Sequence, residues 1–176
     1  GLNAVGLCGR DSNLLKAVKN YAVGENGENL DLGYVGKVSE VNKEVLTDLI
    51  AADYVPIISP VACGESGETF NVNADYAAGA VSGALKAEKL ILLSDIRGLY
   101  RDINDEDSFI PEISCDKVEE YIESGIIAGG MIPKMQCCVD AIRKGTKEVV
   151  IIDGRVEHSL LIEIFTHSGS GTMVTK

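Results

Sequence analysis

A three-layer αβα sandwich around a largely parallel central sheet is the fold this chain of 176 residues predicts, and three observations predict it. KLILL (89–93) and VVII (149–152) are continuous apolar runs of strand length, the pattern of strands covered on both faces. Strand-like and helix-like segments alternate along the whole chain. No internal repeat, low-complexity tract or linker interrupts the alternation, so residues 1–176 read as one domain.

Taken in order, Ala4–Leu7 (AVGL) predicts a short buried strand. NLLKAVKN fits a brief helix or a strand, and its periodicity does not separate the two. GENGEN carries the Asn26-Gly27 pair favoured in tight hairpins, which makes LGYVGKV the returning strand. Asn42 can cap a helix running to about Ala52, with Leu46, Leu49 and Ile50 facing inward. VPIIS is a short apolar strand, and CGESGETF is a polar hairpin punctuated by glycine. NVNAD then opens a helix through about Lys86, built from Ala77, Ala78, Gly79, Ala80, Gly83 and Ala84. Each internal glycine costs about 1 kcal/mol relative to alanine, so close backbone packing is the expected return.

KLILLSD follows as a buried strand, then the acidic loop RDINDEDS. Ser114 can cap a helix that uses Val118, Tyr121 and Ile122 and ends at Gly125. After the IIAGGMIPK segment a helix runs to Gly145, VVIID is a second buried strand, HSLLIEIF a short helix, and GTMV the last strand.

Composition narrows the function. With 45% apolar residues the chain can bury a full core, and its net charge of −11 without a basic stripe argues against nucleic acid and anionic membrane as partners. A nucleotide stays compatible, because local amides, one or two cations and Mg²⁺ suffice to hold a phosphate chain. No apolar run approaches membrane-spanning length. The five cysteines are odd in number and lack metal-ligand spacing, and with two histidines no metal site is expected. Cys137 and Cys138 read as small apolar fillers, and a reduced, cytoplasmic compartment fits.

Ile126–Lys134 (IIAGGMIPK) holds the most informative placement. Gly129 and Gly130 break the backbone, and Pro133 sits where a first helical turn tolerates it. At 100° per residue Met131, Met135, Cys138 and Ile142 form one apolar stripe, with Val139 and Ala141 beside it and Gln136, Asp140, Arg143 and Lys144 opposite. Lys134 falls on the apolar flank in the first turn, where the helix dipole mildly disfavours a cation. Two readings follow: a phosphate cradle, or a lysine snorkelling from a partly buried face.

Ligands of such sheets bind beyond the carboxyl ends of the strands. Three segments put polar groups there: Ser94-Asp95, Asp153-Gly154-Arg155, and Asn71-Val72-Asn73-Ala74-Asp75. Asn71 and Asn73 are two apart, so an extended backbone points both amides the same way. Asp75 reads as a helix cap, or as a group orienting a lysine; Asp95 also reads as a turn aspartate. No Walker-type GxxxxGK[ST] is present, and no Ser/His/Asp triad can be assembled from spacing.

The order of motifs adds a resemblance. NVNAD before a small-residue helix, AEKLILLSDIRGLY, GGMIPK, IIDGRVEHSLLIEIFT and GSGTM together resemble the acetylglutamate kinase branch of the amino-acid kinase family. SDIRGLY is similar to the family's shared strand and loop around the nucleotide; NVNAD, GGMIPK and the DGRVEHSLLIEIFT tail are more particular to the acetylglutamate branch. The matches run from Ala4 to Val174.

The resemblance implies a carbamate kinase-like fold, present in part, and a phosphotransferase that uses ATP with Mg²⁺ to phosphorylate the side-chain carboxylate of N-acetyl-L-glutamate in arginine synthesis. It implies Lys134 as the lysine stabilising the transferring phosphoryl group and Asp75 as organiser of the catalytic lysines. Asn71, and with it Asn73, would contact the acetylglutamate. Ser94, Asp95, Ile96, Arg97, Gly98, Leu99 and Tyr100, with Ile126, Ile127 and Ala128, would contact the nucleotide. The family's front half carries a second catalytic lysine in a Gly-rich loop and an arginine for the acceptor. Neither is found here, so the chain is expected to hold most of the nucleotide lobe and to catalyse poorly alone. The tail GRVEHSLLIEIFTHSGSGTM resembles the arginine-inhibited subgroup, which implies an arginine effector and a homo-oligomer; a PII-type regulator is undecided. Another family member, such as glutamate 5-kinase or UMP kinase, is an alternative that should lack the tail. A non-catalytic nucleotide- or arginine-binding module is the alternative of a different class.

Overall fold

The structure, a computed structural model, describes residues 1–167 and 169–176; Ser168, inside the tail stretch read above, lies outside the described residues. The chain divides into two compact units, Gly1–Leu85 and Lys86–Lys176.

The first unit runs β1 (Ala4–Cys8), β2 (Leu15–Val23), β3 (Asn29–Val41), α1 (Lys43–Ala51), β4 (Val55–Ser59), β5 (Val61–Cys63), β6 (Thr69–Asn71) and α2 (Ala74–Leu85). β1 and β4 pair in parallel, from Ala4 with Val55 to Cys8 with Ser59. β2 and β3 form the expected hairpin, and Gly27 takes the positive φ of 82° that its tight turn needs. NLLKAVKN is therefore mostly strand: Leu15 and Ala17 turn into the core while Lys16 and Lys19 pair outward with Glu40 and Asp31. β2, β3, β6 and β5 close into a ring whose last links are single pairs, Val35 with Asn71 and Lys16 with Cys63.

The core of this unit gathers Leu14, Leu15, Ala17, Leu46, Ala62, Phe70, Val72 and Ala77. Gly79, Ala80 and Gly83 of α2 are buried, in keeping with the close packing its small residues predict. Two expectations for α1 fail. Asn42 stands at the N-cap position, but its side chain makes no cap; its Nδ2 donates instead to the Ser12 carbonyl at 3.0 Å. Leu46 is 1% exposed, whereas Ile50 is 51% exposed, because α1 is covered along a narrower stripe than its apolar residues could fill.

The second unit runs β7 (Lys89–Ser94), β8 (Leu99–Tyr100), β9 (Phe109–Ile110), β10 (Glu112–Ser114), α3 (Cys115–Glu123), α4 (Met131–Lys144), β11 (Glu148–Asp153), α5 (Ser159–Phe165) and β12 (Thr172–Thr175). Its four-stranded sheet has the order β10–β12–β11–β7. β7 and β11 pair in parallel over six residues, β10 and β12 also pair in parallel, and β11 with β12 is antiparallel. Val149–Ile152 of β11 are at most 1% exposed, as a two-sided buried strand requires. β7 has the same apolar pattern, but Leu93 is 58% exposed while Leu92 is buried. An apolar run makes two-sided burial possible without completing it, and this edge strand packs one face.

α3 ends at Glu123, with Ser124 as its C-cap and Gly125 just beyond at φ 79°, but Ser114 makes no side-chain cap. In α5 the packing is inverted. Leu160, Leu161, Ile164 and Phe165 are exposed, while Glu163 is buried, bonded by Lys89 at 3.0 Å and by the Ser170 N–H at 2.9 Å. A buried carboxylate needs such partners, and they hold α5 to β7. All five cysteines are free thiols, with Cys137 and Cys138 buried in α4 as filler.

The narrow stripe of α1 gives a direct comparison. Leu46→Ala should cost about 2–5 kcal/mol as a buried leucine truncation, and Ile50→Ala about 1 kcal/mol or less. Urea unfolding of the two variants, monitored by circular dichroism, measures the difference; equal losses would contradict the packing described.

Candidate functional site

In the first unit the candidate residues cluster where β6 passes into α2. Asn71 is the last residue of β6, exposed, with backbone pairing to Val35 and Val61. Val72 turns inward, so Asn71 and Asn73 both emerge on the outer side, as the two-residue spacing predicts. The cap of α2 is Asn73: its Oδ1 accepts from the backbone N–H of Asp75 at 3.0 Å and of Tyr76 at 3.2 Å. The cap reading considered for Asp75 therefore passes to Asn73. Asp75 is half-buried in the first turn of α2, where the helix dipole favours a carboxylate. What Asn73 can still offer a ligand is the donor side of its amide.

In the second unit the parallel pairing of β7 and β11 brings two polar strand ends side by side. Ser94 lies opposite Asp153, and the Gly154 N–H donates to the Ser94 carbonyl at 2.9 Å. Asp153 Oδ1 accepts from the Arg155 N–H and Nε, both at 2.9 Å, and its Oδ2 accepts from Nη2 at 2.8 Å. The Arg155 side-chain bonds, and then its backbone N–H, lower the Asp153 carboxyl to about 2. The guanidinium itself is largely exposed and feels the charge of Asp95 beyond the end of β7.

Past Asp95 the chain turns into β8. Ile96 is half-buried, and the exposed Arg97 lays its guanidinium 4.2 Å from the ring centre of Phe109, which in turn meets Tyr100 edge-on at 5.2 Å. Gly98 is buried with no room for a side chain, because a Cβ there would collide with Thr172. The Leu99 N–H donates to Thr172 Oγ1 at 2.8 Å, and that hydroxyl donates to the Ile110 carbonyl at 2.6 Å. Thr172 is wholly buried. GTMV predicts only a closing strand, so sequence reasoning gave Thr172 no role; its partner Leu99 lies 73 positions away. The intervening acidic loop is laced by Ser108, whose hydroxyl bonds the Asp102 and Asp105 carbonyls.

The remaining candidates sit between α3 and α4. Ile127 is buried and its N–H donates to the Tyr121 carbonyl at 2.9 Å, while Ala128 is exposed. Gly129, at φ 53°, and Gly130 face open space just before α4. The first turn of α4 contains no acidic residue and carries Lys134, half-buried; Met135, Cys138 and Ile142 are buried along the predicted stripe, and Gly145 stops the helix. An open backbone, a helix N-terminus and a half-buried lysine in a first turn without acidic residues suit a phosphate group. Among the described residues no cluster of three or more His, Cys, Asp or Glu is placed to hold a metal ion, and no helix is long and apolar enough to cross a membrane.

Residues 1–153 match the family model described as amino acid kinase family. The chain is 49% identical, over 100% of its length, to an acetylglutamate kinase of Symbiobacterium thermophilum, covering 60% of that protein. It is 51% identical, over 97% of its length, to an acetylglutamate kinase of Clostridium acetobutylicum, covering 57% of that protein. It thus spans about three-fifths of the length of the curated relatives it matches. Among solved structures, the N-acetylglutamate synthase of Neisseria gonorrhoeae complexed with coenzyme A and N-acetyl-glutamate superimposes with a TM-score of 0.82 at 25% identity, over 99% of this chain and 38% of that one.

The Asp153–Arg155 clasp predicts a pH dependence. Asp153 titrates at about 2 in the folded chain, against about 3.9 for an unperturbed aspartate. The unfolded state therefore binds the proton more readily, and the clasp stabilises the fold above about pH 4 and loses its contribution as pH falls toward 2. Carboxyl-detected NMR should place the Asp153 midpoint well below the ordinary aspartate value of about 3.9, and Arg155→Met, which removes the side-chain bonds and keeps the backbone N–H, should move it up toward that value. An ordinary midpoint in the unsubstituted chain would contradict the clasp.

Proposed function

The chain belongs to the amino acid kinase family, and we propose that it is the nucleotide-side portion of an acetylglutamate kinase. The reaction is transfer of the γ-phosphoryl group of ATP to the side-chain carboxylate of N-acetyl-L-glutamate, giving an acyl phosphate and ADP in arginine synthesis. The observation that carries this reading is the 49% identity with an acetylglutamate kinase across the whole of this chain. The half-buried Lys134 in the first turn of α4, beside two glycines open to solvent, supports it from the side of chemistry.

Phosphoryl transfer asks the protein for positioning and charge stabilisation and needs no covalent nucleophile. A carboxylate oxygen of the acceptor bonds to the γ-phosphorus as the bond to the bridging oxygen of ADP breaks. Lys134, with the N-terminal amides of α4, balances the charge spread over the transferring oxygens. Asp75 orients catalytic lysines. Asn71 and the donor side of the Asn73 amide hold the acetylglutamate. Residues 94–100 and 126–128 form the two backbone segments along the nucleotide. Mg²⁺ arriving with the nucleotide would supply further charge neutralisation on the phosphate chain, beside the roles of Lys134 and the α4 amides. Cytoplasmic location, a homo-oligomeric enzyme and arginine as effector complete the proposal.

Two measurements test it. The complete enzyme should phosphorylate N-acetyl-L-glutamate in preference to glutamate or UMP; preference for either of the others would move it to a different member of the family. Lys134→Ala should lower kcat by about 10²-fold or more, the usual scale for a group acting on the transition state. A kcat within a few-fold of the unsubstituted enzyme would remove Lys134 from the chemistry.

A further inference from the structure

We infer that Thr172 is a positioning residue for the nucleotide-contacting loop, an inference that rests on the kinase reading above. A wholly buried hydroxyl in a strand is costly unless it is bonded, and a valine would fill the same space with equal strand propensity. The hydroxyl is therefore explained by its two bonds. Both partners are backbone groups of facing residues, the Leu99 N–H and the Ile110 carbonyl, which belong to the β8–β9 pair. The Thr172 side chain thus enters that two-stranded ladder at its inner end and joins its two strands.

The fit is reciprocal. Gly98 has no space for a Cβ because Thr172 occupies it, and Gly171 has none because its backbone lies against the Ile151 carbonyl. Gly171 fixes β12 against β11, Thr172 reaches from β12 into the loop, and Gly98 admits it. Residues 95–98, between β7 and this anchor, are therefore tethered at both ends. A two-residue ladder such as β8–β9 is too short to hold a loop by itself. Thr172 supplies the missing rigidity, and a preorganised loop loses less entropy when a ligand binds.

Calorimetric titration of Mg·ATP into the complete enzyme tests the inference. Thr172→Val should weaken binding about tenfold, in line with leaving the two backbone groups unpaired. Thr172→Ser, which keeps the hydroxyl, should restore Kd to within about twofold of the unsubstituted chain. A merely structural threonine would lower the melting temperature of the valine variant and leave the Kd of the folded fraction unchanged; that result overturns the inference and leaves the kinase reading standing. Absence of nucleotide binding by the unsubstituted complete enzyme overturns the kinase reading and this inference with it. Amide hydrogen exchange supplies an arm that needs no variant to fold. The Leu99 N–H should exchange as slowly as the amides of β11, and exchange at the rate of the exposed Asp102–Ser108 loop would overturn the anchor.

Discussion

β11 is the constraint on which the second unit depends. Its four residues Val149–Ile152 are sealed from solvent, and burying each such side chain contributes about 1.5–3 kcal/mol. The strand cannot slip by one residue without turning its carboxyl-terminal Asp153 inward and an apolar neighbour outward. That fixed register has two consequences. On one side the parallel pairing with β7 sets Ser94 level with Asp153. On the other, the antiparallel pairing with β12 sets Thr172 opposite Ile151, so the start of β12 lies at the same sheet edge as the ends of β7 and β11. One buried strand therefore delivers three sequence-distant segments, SDIRGLY, DGR and GTM, to one edge.

At that edge, side chains take over where the ladders end. Arg155 folds back on Asp153, Thr172 bridges Leu99 and Ile110, and Ser108 closes the acidic loop. The first unit, taken by itself, uses the same device where Asn73 caps α2. Each satisfies backbone or charged groups that a loop would otherwise leave to water. Loops held this way present backbone amides in fixed directions, which is what a phosphate chain requires on the proposed reading.

The readable parts of the sequence were those whose physics is local or strongly periodic. VVIID, the Asn26-Gly27 hairpin, the apolar stripe of α4 and the Gly145 stop each follow from a few neighbouring residues. The misreadings concern coverage. Ile50 and Leu93 sit in patterns that permit burial, but whether a second layer arrives to bury them is a tertiary matter. α5, read only as a short helix, shows the same point: its five apolar residues are exposed, and the one glutamate supplies the anchor through a lysine 74 positions earlier. NLLKAVKN was undecided because its strand character comes from pairing with β3 rather than from its own period. Of the candidate site, the strand-end carboxylates and Lys134 were legible as chemistry out of place. Thr172 was not, because a threonine in a closing strand is ordinary until its burial and its partners are known.

An acidic chain that is proposed to bind a polyanion needs a local exception to its own field. The net charge of −11 is spread over the surface, and at physiological salt each exposed charge is felt over only about 8 Å. What matters is the composition of one neighbourhood. The start of α4 has no acidic residue, two glycines open to solvent and a half-buried lysine whose placement the helix dipole opposes. By the dipole alone that lysine costs about 0.3–1 kcal/mol relative to one at the helix's other end, where Arg143 and Lys144 stand. Stability would move it; an incoming phosphate would reverse the sign, since lysine and amides then act on the same anion. On the proposed reading, lysine and helix amides meet the phosphate at one point, and the acidic surface around them needs no change.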